Sequence, residues 1–271
     1  MYSRKSGLYG YNMKSFATWI MLVFLSVAYP QAGYGGQVNR LACDIWPPYQ
    51  MYQDTELTGY SVQIVKAVYQ RMGIPLKHPI TALPWSRCLA MLENGTMDAL
   101  FSANYAPERK QYALYPEEPL ISSPWVVWVR KGYEIESMQE LQSMRVGAVR
   151  QYSYTPEFWE FIQTNSRVET VGNDETNFKK LSAGRLDATV AELANGLYLR
   201  KKLGIKNIVP IRHLIVKESG LYIIFNKKNV SEEFVNEFSQ ELSAFKETLE
   251  YRNLYEKYID LVVPKTPSPA H

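Results

Sequence analysis

Histidine and cysteine are scarce in this chain of 271 residues: His78, His213 and His271 are scattered, and Cys43 and Cys88 are its two cysteines. Such spacing offers no ligand set for a structural or catalytic metal. A Gly-x-Ser-x-Gly elbow is missing, which excludes that hydrolase triad, and so is a nucleotide-type glycine loop. No cofactor is expected. Charge of one sign is also lacking. The formal net charge of +3 is carried by Arg4, Lys5 and Lys14, after which basic and acidic residues balance. A neutral body lacks the basic footprint of a nucleic-acid binder. The apolar run from Phe16 to Tyr29 has 14 residues, short of the roughly 20 that span a membrane.

That run follows three basic residues and no acid, which is the build of a secretory signal peptide, here 1–32. Small residues at Ser26 and Ala28, or at Ala32 and Gly33, suit cleavage. Export places the mature chain in an oxidising compartment, the periplasm, where a Cys43–Cys88 disulfide is expected; two buried, unlinked thiols are the alternative. Pro264 to His271 reads as the core of a disordered tail, 263–271.

What is present is a repeated unit. Leu-x-x-Gly-x-x-Asp-Ala occurs at Leu92–Ala99 and again at Leu181–Ala188. Each copy reads as a helix end, a glycine in the positive-φ position of a C-cap, and a short buried strand. Around the first copy, Arg40–Ile45 reads as a strand, Val62–Met72 as a helix stopped by Gly73, Leu76–Ile80 as a weak strand and Pro84–Leu92 as a helix. Around the second, strands at Arg145–Val149 and Val168–Val171 alternate with helices at Pro156–Ile162, Glu175–Ala183 and Ala194–Leu203. Trp125–Val129 and Leu221–Phe225 read as strands that cross between two lobes, and Ile208–Pro210 as a further strand. Ser231 caps a last long amphipathic helix. The pattern is α/β with two similar halves.

In open α/β sheets ligands bind beyond the carboxyl ends of strands. After the first repeat that position holds Ser102 to Arg109, and after the second it holds Glu192. Arg109 offers a planar fork for a carboxylate, and Glu192 can accept from an ammonium, so the two would clamp a zwitterion. The residues alone leave other roles open: a surface ion pair of Arg109 with Glu108 or Glu117, and Glu192 as an acid at a helix N-terminus. Trp46, followed by Pro47 and Pro48, and Trp85 are candidates to hold a side chain by stacking or cation–π attraction, whereas Trp125 and Trp159 fall on apolar faces.

The ordered set Asp44-Ile-Trp-Pro-Pro-Tyr49, Gly59-Tyr-Ser-Val62, Pro84-Trp85, the two repeats and Ala106-Pro-Glu-Arg109 resembles the bacterial extracellular solute-binding proteins of family 3, receptors of ABC importers, from about Arg40 to about Ile259. The resemblance implies a periplasmic-binding-protein-like fold of two flavodoxin-like lobes joined by two hinge crossings. Lobe 1 would be 38–127 with 219–262, and lobe 2 would be 128–218. It implies capture of a small polar solute, an amino acid or related zwitterion or carboxylate, by a monomer that docks on a membrane permease without bond chemistry. By the same likeness Arg109 stands at the α-carboxylate site, Ser102 near the ammonium, Trp46 and Trp85 at the aromatic walls, Ser153 and Tyr154 at the helix-start carboxylate donors, and Glu192 at the ammonium-binding acid. An enzyme like periplasmic cyclohexadienyl dehydratase, with Glu192 as the acid, is the alternative on this fold.

Overall fold

The computed structural model describes residues 38–260, so the expected leader and tail lie outside the described residues. The chain opens with β1 (Leu41–Cys43), a hairpin of β2 (Met51–Gln53) and β3 (Glu56–Thr58), α1 (Tyr60–Arg71), β4 (Thr81–Ala82), α2 (Trp85–Glu93) and β5 (Ala99–Asn104). A 3-10 turn, Pro107–Gln111, leads through β6 (Ala113–Leu114) to β7 (Ile121–Arg130). Then come β8 (Arg145–Val149), α3 (Pro156–Asn165), β9 (Arg167–Val171), α4 (Asp174–Ser182), β10 (Ala188–Glu192) and α5 (Leu193–Lys202). The long β11 (Ile208–Asn226) is followed by α6 (Glu232–Lys246) and α7 (Leu249–Tyr255).

The main sheet runs β4, β1, β5, β11, β7, β10, β8, β9, with β6 also on β11. Strand β1 is parallel to β4 and β5, and β8 is parallel to β9 and β10, so a parallel trio lies toward each end. Between them β7 and β11 run antiparallel to each other and to their outer neighbours. Helix α2 packs on the first trio through Cys88, Leu92, Leu100 and Ile224, and α4 and α5 pack on the second around Trp128 and Phe178. Each helix buries one apolar stripe against the sheet, which is why its apolar positions recur at helical spacing.

The repeat has a common anchor. Gly95 and Gly184 sit at φ of 82° and 72°, where a side chain would be strained, and each ends a helix. Three residues on, Asp98 accepts from the backbone and guanidinium of Arg40, and Asp187 accepts from the backbone and guanidinium of Arg145, at 2.9 and 2.7 Å in the second copy. In both copies an arginine at or just before the start of one strand is held by the aspartate that precedes its parallel neighbour.

Three expectations are corrected. Leu76 to Ile80 is irregular, and the strand lies at Thr81–Ala82, because Pro75 and Pro79 remove ladder donors. Ile208–Pro210 and Leu221–Phe225 are the two ends of one strand of 19 residues, kept extended by β7 with bulges between Ile211 and Lys217. Cys43 and Cys88 are free thiols, both fully buried. Cys88 turns its thiol to the carbonyl of Leu83 at 3.6 Å, and burial pushes its pKa up to about 12. Cys88 packs in an apolar cluster with Ala42, Leu92 and Leu100 and behaves as a small hydrophobe.

Candidate functional site

The site is assembled from four irregularities at strand ends. After β1, Pro47 and Pro48 cannot donate to a ladder, and the chain turns back so that Trp46 N bonds Gln50 O at 2.9 Å. The turn leaves the Trp46 indole free to donate to Asp174 Oδ2 at 3.1 Å. In β5, residues Ala103 and Phe101 face consecutive residues of β11, Tyr222 and Ile223, so Ser102 is the extra residue of a bulge, at φ 61°. The bulge turns its hydroxyl to Ser61 Oγ at 2.8 Å and to Gln50, re-aiming the strand end as bulges do beside functional sites.

The 3-10 turn after β5 carries Arg109. Its residue is 5% exposed, which removes the surface-pair reading. Its guanidinium donates to Asn104 O at 3.1 Å and Ser153 Oγ at 3.0 Å and lies over the Trp85 ring at 5.5 Å. Among the described residues no Asp or Glu pairs with it. Beyond β8, Gln151 takes φ 63°, and Tyr152 and Ser153 follow into the cleft. Lys217, on the bulged part of β11, donates to Ser153 O at 2.6 Å, and burial followed by the charge of Arg109 lowers its pKa to about 8.

These groups enclose a cavity of about 20 Å³, room for one water, lined by Trp46, Trp85, Ser102, Arg109, Trp125 and Ser153. Trp46 stacks on Trp125 at 5.8 Å, and Tyr152 stands edge-on to both. A larger cavity of about 620 Å³ shares Asp44, Trp46, Trp85 and Tyr152 with the first and adds Asp174 and Asn195. Asp174 is buried and accepts from Tyr152 OH at 3.1 Å as well as from Trp46. Burial raises its pKa to about 7 against the pull of those two bonds, and Asp44 is raised to about 7 by burial with Asp174 adding to it.

Five sequence-predicted residues, Trp46, Trp85, Ser102, Arg109 and Ser153, therefore meet around one cavity. Glu192 does not, and Tyr154 joins Arg109 and Ser153 around a separate cavity of about 580 Å³. Tyr154 packs among Trp125, Phe158 and Trp159, and its hydroxyl accepts from Val149 N at 3.0 Å. Glu192 is fully buried as the N-cap of α5, where it accepts from Ala194 N at 2.9 Å, Asn195 N at 2.7 Å and the hydroxyl of Ser123. Both its oxygens are engaged, and burial raises its pKa. Trp125, read as a core residue, lines the cavity. Asp174 went unnoticed because an acid behind Asn173 at the start of a helix looks like an ordinary complement to the helix dipole.

The sequence model of the bacterial extracellular solute-binding proteins, family 3, matches residues 40–261. This chain belongs to that family. The L-cystine-binding protein TcyJ of Escherichia coli (strain K12) is 25% identical to it over 183 residues. That match covers 65% of this chain and 66% of the relative, so the chain spans about two thirds of its length. A probable histidine-binding protein of Neisseria gonorrhoeae is 22% identical over 91% of this chain and 96% of its own. The solved structure of an ancestral arginine-binding protein bound to arginine superposes with a TM-score of 0.69 at 21% identity, covering 81% of this chain and 98% of that one. The fold of this family 3 protein is thus α/β and periplasmic-binding-protein-like, with β7 and β11 as the two crossings.

Proposed function

We propose that this solute-binding protein works in the periplasm, behind a cleaved leader, and captures an amino acid or related zwitterion or carboxylate for the permease of an ABC importer. It acts as a monomer, without bond chemistry. In this reading 38–127 with 219–262 form one lobe and 128–218 the other, and the solute lies in the cleft between them. The observation that carries the proposal is Arg109: a buried guanidinium with no carboxylate partner among the described residues, at a cavity bordered by Trp85, Trp125, Ser102 and Ser153. Such a group is costly unless an anion completes it, and a solute carboxylate takes two parallel bonds from its fork. Ser153 and Ser102 border the same space, and Trp46 and Trp85 form its apolar walls. The relatives named for cystine, histidine and arginine all point to solutes with an α-carboxylate. Glu192 keeps its place at the α5 terminus.

The cavity among the indoles holds one water, while Arg109 also borders a cavity of about 580 Å³ together with Ser153, Tyr154 and Lys217, which has room for an amino acid. The test is a thermal-shift screen of amino acids, amines and small carboxylates, followed by calorimetric titration of each hit into wild type and Arg109→Met. A hit at 100 times its Kd adds about 2.7 kcal/mol to stability. Arg109→Met folds, but binding weakens by about 2 to 5 kcal/mol. Equal affinity in the two proteins refutes Arg109 as the carboxylate site.

A further inference from the structure

Arg109 borders two cavities of different make. The one among the indoles holds a single water, whereas the other, of about 580 Å³, is enclosed by the turn after β5, the residues that lead into α3, and Lys217 of β11. Its walls are largely aromatic. Tyr105 and Tyr112 come from the first of these segments, and Tyr154 and Trp159 from the second. Tyr154 and Trp159 meet edge to face at 5.2 Å, and the Tyr154 hydroxyl is held by Val149 N, so that side of the chamber is built in advance.

The charges on these walls are one-sided. Arg109 donates to two neutral oxygens, Asn104 O and Ser153 Oγ, and Lys217 donates to Ser153 O at 2.6 Å, so one residue ties down both cations. Among the described residues neither cation has a carboxylate within ion-pair distance. The charge of Arg109 adds to burial in lowering the Lys217 pKa, which shows that the two repel. The one carboxylate on the wall is Glu108, which is exposed and acts on Lys217 from beyond that distance. Asp44, Asp174 and Glu192 do not border this cavity. An anion here relieves the repulsion and gains charge-assisted bonds from two donors, whereas an ammonium meets two cations and no buried acid.

Resting on the solute-binding reading, we infer that the cavity between Arg109 and Lys217 is the solute chamber, and that it takes an aromatic carboxylate with no ammonium beside the acid group. The carboxylate bridges Arg109 and Lys217, and the ring lies among Tyr105, Tyr112, Tyr154 and Trp159. Lys217 is then a second anion-binding residue, and the protein selects aromatic acids over amino acids.

The experiment is calorimetric titration at pH 7, where Lys217 is charged, with 3-phenylpropionate, L-phenylalanine and propionate. The first two differ in the α-ammonium, and the first and third in the ring. Wild type binds 3-phenylpropionate at least about tenfold more tightly than either of the others, the scale of one unfavourable charge contact or one buried ring. Lys217→Gln weakens that binding about tenfold, and Lys217→Arg restores it. Melting of each unliganded variant checks the fold, and the comparison of probes in wild type needs no variant. L-Phenylalanine bound as tightly as 3-phenylpropionate overturns the selection against ammonium, and propionate bound as tightly overturns the aromatic chamber; both leave the Arg109 reading standing. Unchanged affinity in Lys217→Gln overturns the role of Lys217. If neither aromatic probe binds while another solute does so through Arg109, this inference falls alone. Absence of binding by every solute screened removes both readings.

Discussion

Glutamate 192 separates a structural carboxylate from a ligand-binding one, and Glu192→Gln decides between them. The substitution keeps length and shape and replaces one acceptor oxygen by an NH₂ group. In the structure Oε1 accepts from Ala194 N at 2.9 Å and from the Ser123 hydroxyl, and Oε2 accepts from Asn195 N at 2.7 Å. Whichever way the amide turns, one backbone N–H of the first turn of α5 then faces another N–H. The residue is fully buried, so water cannot repair the mismatch. A lost charge-assisted bond is worth about 1.5 to 3 kcal/mol, and an orphaned buried donor costs about 1 to 3 kcal/mol. Loss of an anion at the helix N-terminus adds about 0.3 to 1 kcal/mol. Relief from holding a buried charge offsets part of this, leaving a net loss of about 2 to 4 kcal/mol. At about 2 to 4 °C per kcal/mol for a chain of this size, Tm falls by about 5 to 15 °C. Differential scanning calorimetry of the unliganded proteins at pH 8 measures it. A variant that melts within about 2 °C of wild type yet has lost solute binding would refute the capping role and restore Glu192 as an ammonium site.

Two further outcomes follow from the fold. Asp187 is held down to about 2 by its bonds to Arg145, so its contribution is complete above the ordinary carboxylate pKa near 4 and disappears as pH falls toward 2. Discounted for partial exposure, it amounts to about 1 to 2 kcal/mol. The Tm gap between wild type and Asp187→Asn at pH 7 therefore shrinks below pH 4, and a gap constant to pH 2 would contradict the pairing. Both thiols are buried with raised pKa values, so the native protein reacts with a thiol reagent at pH 8 no faster than it unfolds. Titration in denaturant without reductant finds two thiols, whereas finding none would establish the disulfide.

Periodicity made the helices and the repeat legible, because apolar stripes and a glycine three residues before an aspartate are local patterns. The partner of that aspartate was not legible: Arg40 and Asp98 lie 58 residues apart and meet through the parallel pairing of β1 and β5. Arg109, Trp46, Trp85 and Ser102 drew attention by their places at strand and helix ends, and Ser153 by the family likeness alone; the structure brings the five around one cavity. The long-range partners of two helix-start residues stayed hidden. Asp174 and Asn195 open helices, where Asp and Asn have common local uses, and their bonds to Trp46 and to Pro47 O span 128 and 148 residues of sequence. Glu192 shows the reverse, a residue whose position promised a ligand and whose side chain is spent on its own helix. The bulge at Ser102 has no sequence signature, since serine carries no mark of a positive φ.

Strands β7 and β11 form a two-stranded ribbon between the parallel trios, and Arg212 to Leu214 bulge from it opposite Val126 and Val127. Such a ribbon is stiff along its length and soft in torsion, so the two ends of the sheet swivel about it while their separation along the strands stays fixed. Of the three extra residues, His213 is tied down, its Nε2 lying 3.1 Å from Ile135 O. The same ribbon carries Trp125 and Lys217, paired across it, to the edge of the site, so its twist also aims those two side chains. Affinity then contains a mechanical component: a sequence change in the bulge that stiffens or rewinds the ribbon alters how often the cleft closes, and so changes the apparent Kd with every site residue unchanged.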